Sequence, residues 1–147
     1  MTAETAWAHL PNAKHIDDML ADVKARPEVW AAAWGAAWDA ARDAAWGAAQ
    51  GAAWRAAWAA ARVTARGAAW DAARDAAQRA ARDAAWGAAW DAAWDAIAAL
   101  VTWDSSADLL DCTPDVLRAM IDLAEPPVCH QAALLLPYAL VRFGTWP

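Results

Sequence analysis

From Trp30 to Ile97 the chain repeats a unit of four residues, a period that does not match an α-helix of 3.6 residues per turn. Each unit reads Trp, Arg or Gln, then most often Asp or Gly, then Ala-Ala, and seventeen such tetrads follow in unbroken register. Ala has the highest helix propensity, with Arg and Gln close behind, so the segment is expected to be helical even though each Gly costs about 0.8–1 kcal/mol. A residue recurring at every fourth place drifts around the helix axis by roughly 40° per tetrad. A helix that packs one face on a core needs its large residues held within a fixed arc. The Trp stripe therefore cannot stay on one face, and the helix must either break or be surrounded.

Length points to a break. One continuous helix over residues 30–97 would extend about 100 Å, whereas a compact domain of this size has a radius of gyration of about 15 Å. The expected fold class is all-α, a helical bundle in which the tetrad repeat folds back on itself as two or more antiparallel helices. A single domain is expected over 1–147, with an N-terminal helix and opening turn in 1–29, the repeat in 30–97, and Leu-rich helices in 98–147. Val63-Thr64-Ala65-Arg66-Gly67, where β-branched residues and a Gly interrupt the pattern, is the preferred hinge, and Gly47 to Gly51 is the second candidate. Folding at the first would carry Trp30, Trp34 and Trp38 towards Trp86, Trp90 and Trp94. These six form the candidate packing or interaction layer.

The flanks carry ordinary helix signals. Asn12 reads as the N-cap of a helix over about residues 13–25, with Ile16, Met19, Leu20 and Val23 at helical spacing. Pro27 ends that helix and suits the first turn of the next, where Glu28 meets the positive helix end. Ser105 or Ser106 is placed to cap a short helix containing Leu109 and Leu110, and Thr113-Pro114-Asp115 to cap one ending near Ala124. Glu125-Pro126-Pro127 breaks the chain before a last helix over about 128–142, kinked at Pro137.

The net charge of −6 sits in the flanks, since the repeat holds seven Arg against seven Asp. Asp39 with Arg42, Asp71 with Arg74 and Asp75 with Arg79 stand at helical pairing distance, each worth about 0.2–0.5 kcal/mol. No clustered basic excess suits a phosphate backbone. Interleaved Trp and Arg nevertheless keep a single-strand nucleic-acid binder as the alternative function. No apolar stretch of about 18 residues is free of Asp, Arg, Gln or Gly, and the first residues lack a basic start followed by an apolar core. Cytoplasmic localisation without a membrane span is expected.

Most Trp are expected to pack the core, because the repeat offers no other large side chain. Outward-facing Trp would form a patch calling for self-association or a partner. Cys112, Cys129 and His130 are the one set of thiol and imidazole groups resembling a metal or nucleophile site, but they lack CxxC or HxxxH spacing. Both cysteines are expected to be reduced. His9 and His15 carry no motif, and phosphate-cradling loops and nucleophile elbows are missing from the sequence. Catalytic, cofactor-binding and metal-ligating residues are therefore all expected to be none.

Codons for Trp, Arg and Gln are linked by single-base steps, as are those for Asp and Gly, so the variation fits drift within an expanded unit of four codons. LPNAKHIDDMLADVKARPEVW, followed by the Trp/Arg-Asp/Gly-Ala-Ala tetrads, LVTWDSSADLLD and a closing ALLLP, resembles uncharacterised Ala/Trp-rich repeat proteins of tailed phages and some high-GC bacteria. The similarity covers nearly the whole chain, and the flanks are its specific part. A looser similarity, in Ala spacing alone, extends to candidate bacterial immunity proteins. Neither group provides an activity or a functional residue to carry over. The resemblance implies a phage accessory or immunity-type factor acting through protein contacts with a host or cognate partner. With the composition it gives the expected function: a non-enzymatic interaction or structural protein that forms a homo-oligomer.

Overall fold

Ala-rich segments supply the helices, and the misfit between four and 3.6 shows in where they stop. The computed structural model describes residues 6–38, 44–64 and 68–144. Its helices are α1 (Ala13–Ala25), α2 (Pro27–Ala37), α3 (Ala44–Val63), α4 (Ala68–Ala84), α5 (Ala88–Thr102), α6 (Pro114–Leu123) and α7 (Val128–Phe143), with a 3-10 turn at Asp104–Leu109. No strand occurs among the described residues. The protein is an all-α bundle.

The repeat is divided among α2, α3, α4 and α5. One break falls at the preferred hinge, between Val63 and Ala68, with residues 65–67 themselves outside the described part. The second candidate needs correcting, because α3 runs straight through Gly47 and Gly51. One Gly costs about 1 kcal/mol in a helix, less than ending a well-packed Ala segment would cost. A Cβ on Gly51 would lie 3.4 Å from the Trp38 ring, which places this glycine under that indole. A further break at Ala85–Gly87 turns on Gly87, whose φ of 66° and ψ of −142° belong to a region that only glycine enters cheaply.

Burial within the repeat follows the helix and not the tetrad. In α2 the buried residues are Trp30, Ala33 and Ala37. Along α3 they include Gln50, Ala57 and Ala61, and along α4 Trp70, Ala73, Ala77 and Ala81. Each run begins on the first residue of a tetrad and moves to the last, as a fixed direction must when 3.6-fold geometry is laid over a four-fold sequence. Later first residues rotate off the seam: Trp34, Trp38, Trp54 and Trp58 are only half-buried, on the flanks.

The core is made by α5 and α7. Every residue from Ala92 to Thr102 is buried, as is every one from Gln131 to Pro137. α2 packs on both central helices, α3 chiefly on α7, and α4 on α5 and α1. The arms of the hinge thus leave for different partners instead of forming a packed α3–α4 hairpin. One continuous apolar cluster runs from Trp7 to Val141.

Two caps act differently from expectation. Asn12 precedes α1, but its side chain makes no cap there. Its Nδ2 donates to the carbonyls of Leu100, Trp103 and Asp104 at 3.0, 3.4 and 3.1 Å, closing the C-terminal end of α5 instead. The last carbonyls of a helix lack intrahelical donors, and a buried amide nitrogen can meet several at once. Ser106 likewise makes no cap, and its buried hydroxyl donates to Ala99 O at 2.8 Å and accepts from Gln131 Nε2. Thr113 does cap α6, accepting from Val116 N. Cys112 and Cys129 are free thiols.

Candidate functional site: an indole cleft around Asp95

The drift of the tetrad builds this site. Trp34 and Trp38 rotate off the α2 seam while Trp54 and Trp58 rotate off the α3 seam, and the two pairs meet. Trp54 stands edge-on to Trp34, Trp38 and Trp58, with centroids 6.3, 5.6 and 6.3 Å away, and Trp58 reaches Trp94 of α5 at 6.0 Å. Tilted and edge-to-face pairs at these separations are favourable, at about 0.5–1.5 kcal/mol each beyond burial.

Asp95 lies beneath the indoles and is only 2% exposed. Its Oδ2 accepts from Trp54 Nε1 at 3.0 Å and its Oδ1 from Trp58 Nε1 at 3.2 Å. Burial pushes this carboxyl well above the ordinary carboxylate range, the two indole donors pull it back in part, and the nearby Asp91 charge pushes it up. Asp91 is itself raised by burial. No cationic side chain touches Asp95 among the described residues. The cleft above it has a volume of about 380 Å³, walled by Trp54, Trp58, Trp90 and Trp94 with Arg55, Arg62 and Asp91.

The six Trp named from the sequence separate into different roles. Trp34, Trp38 and Trp94 join the indole network through Trp54 and Trp58. Trp30 is fully buried elsewhere, tilted on Tyr138 at 6.0 Å, and its Nε1 donates to Asp22 Oδ2 at 2.8 Å. Arg26 holds the Asp22 carboxyl below its ordinary value, with burial opposing and Trp30 assisting. Trp90 lines the cleft beneath the Arg82 guanidinium, 5.5 Å from its ring. The Nε1 atoms of Trp38 and Trp90 are buried without an acceptor. Trp86, at the α4–α5 break, is 88% exposed and belongs to no layer.

Trp54, Trp58 and Asp95 did not stand out in the sequence. Their signal was the spacing: Trp54 and Trp58 share a helix face, and Asp95 is the last repeat Asp before the tetrads give way to Ile97 and the Leu-rich segment. Where the helix becomes surrounded, the second-place Asp that is solvated along α4, as at Asp71, Asp75 and Asp83, is drawn inside.

Other candidates are less developed. Cys129 Sγ lies 3.9 Å from His130 Nδ1, at the outer limit for a sulfur contact, and no cluster of metal-ligand side chains occurs among the described residues. Arg74 lies 3.7 Å from Asp75 and over the Trp70 ring, in place of the expected Asp71 pairing. The Asp39–Arg42 pair falls outside the described residues. Among the described residues no helix is long and apolar enough to cross a membrane. Comparison with protein-family models, curated proteins and solved structures finds no match.

Proposed function

We propose that the chain is a non-enzymatic interaction protein that self-associates, with Trp86 as its anchor. The observation that carries this reading is the exposure of Trp86, 88%, while every other described indole is buried or half-buried. Trp is the residue most enriched at the energetic centres of interfaces. Gly87 beside it leaves the ring unshielded by a neighbouring side chain. The charge balance of the repeat supports a second copy as the occupant, because seven Arg against seven Asp allow two repeat surfaces to meet without net repulsion. The resemblance to repeat proteins of phages and high-GC bacteria extends the proposal to an accessory or immunity-type role in the cytoplasm, with a host or cognate protein as a further partner.

The nucleic-acid alternative has less support. Arg74 and Arg82 lie over Trp70 and Trp90, so cation and ring that would grip a strand are engaged with each other. Sedimentation across a concentration series tests the leading reading. A defined oligomer that Trp86→Ala reduces to monomer is the expected result, and a wild-type chain that stays monomeric at high concentration refutes it.

A further inference from the structure

We infer that the indole cleft binds a small organic ammonium ion, alkylated or quaternary, with its charge towards Asp95 and its methyl groups among Trp54, Trp58 and Trp94. Each oxygen of Asp95 accepts one indole N–H, and no cationic side chain contacts it among the described residues. A buried carboxylate without a cation is costly to hold. The cavity beside it is open to solvent on its far side and, at about 380 Å³, within the range that small-molecule sites occupy. A ligand's positive charge would supply the missing partner.

The walls select the kind of cation. Indole rings attract cations through their quadrupole, and the attraction strengthens when water is excluded. A hard metal ion needs several oxygen ligands. Here the carboxylate oxygens already accept indole hydrogens, and the other carboxylate lining the cleft is Asp91. A weakly hydrated ammonium bearing methyl groups asks for less and fits an apolar wall. Arg55 and Arg62 are exposed and line the same cleft. They disfavour a Lys-rich peptide, which would bring several charges past them, and admit a small molecule with a single positive charge. This site is separate from Trp86 and does not rest on self-association.

Titration of the full chain with choline, followed by intrinsic Trp fluorescence and calorimetry, tests the inference. The uncharged carbon isostere 3,3-dimethylbutan-1-ol and calcium chloride serve as comparisons. Choline is expected to give a saturable response, with the isostere at least about tenfold weaker because it lacks the charge. Asp95→Asn, checked for retained helix by circular dichroism, is expected to weaken choline by about tenfold. Should that variant fail to fold, the contrast between choline and its isostere on the wild-type chain decides. Equal binding of the two, a response to calcium alone, or no saturable response to choline overturns the inference.

Discussion

α4 opens Ala-Ala-Trp-Asp-Ala-Ala-Arg-Asp and α5 opens Ala-Ala-Trp-Asp-Ala-Ala-Trp-Asp, yet the two helices meet different surroundings. Along α4 a single arc is buried, through Trp70, Ala73, Ala76, Ala77 and Ala81, while Asp71, Ala72, Asp75, Arg79, Arg82 and Asp83 face solvent. From Ala92 onward α5 is enclosed on every side by α1, α2, α4 and α7. A tetrad therefore does not specify burial. Helical phase decides it where one face is covered, and the neighbours decide it where all faces are.

The sharpest way to break this contrast is to place one charge at the same tetrad position in both helices. Ala92 and Ala72 are both third residues, one fully buried and one exposed. Ala92→Arg is expected to cost about 4–5 kcal/mol or more, enough to unfold a marginal domain, because the guanidinium has neither space nor partner. Ala72→Arg is expected to stay within about 0.5 kcal/mol. Urea denaturation of both variants reads the difference, and equal costs would mean that α5 is not enclosed.

Two first-place indoles give the next largest effect. Trp70 is 5% exposed, and its Nε1 donates to Val101 O at 2.7 Å, linking α4 to the end of α5. Trp70→Ala is expected to lose about 3–5 kcal/mol through the cavity and the orphaned carbonyl. Trp86→Ala is expected to leave monomer stability nearly unchanged while lowering self-association. Paired thermal melts at low protein concentration check both.

How much of this could be read from the sequence depends on the kind of signal. Helix was legible from Ala content, and α1 from the spacing of Ile16, Met19 and Val23. The hinge after Val63 was legible because β-branched residues and a Gly interrupt a regular pattern. Gly47 and Gly51 misled, since a glycine that a long Ala-rich helix carries at a cost of about 1 kcal/mol reads like one that breaks it. Asn12 misled similarly: the residue type fits an N-cap, but which orphaned backbone groups it serves depends on α5, far along the chain. The indole network needed tertiary phase, because Trp54 and Trp58 meet Trp34, Trp38 and Trp94 only after three helices are packed. Asp95 looked like any other second-place Asp until its neighbours were known.

A smaller effect separates Asp95 from Asp22. Burial raises the folded-state pKa of Asp95, so the folded protein holds that proton more tightly than the unfolded chain. The resulting stability is complete below the unfolded value near 3.8 and is lost as pH rises through the folded value. Asp22, lowered by Arg26, acts in the opposite sense, with stability present above the unfolded value and lost as pH falls. Asp95→Asn is expected to remove a decline with rising pH of at most about 1.4 kcal/mol per pH unit, the limit for one proton. Denaturation of wild type and variant from acid to neutral pH reads this as a changing difference, and a constant one would contradict it.

The most direct measurement of the central claim is a scan that replaces each residue of α4 by Glu in turn and records stability. Burial that follows the helix predicts the largest losses at Trp70, Ala73, Ala76, Ala77 and Ala81, and small ones at Asp71, Ala72, Asp75, Arg79, Arg82 and Asp83. Losses peaking instead on the first residue of every tetrad, Trp70, Arg74, Gln78 and Arg82, would show the large residue of the tetrad to set the packing and would contradict the account.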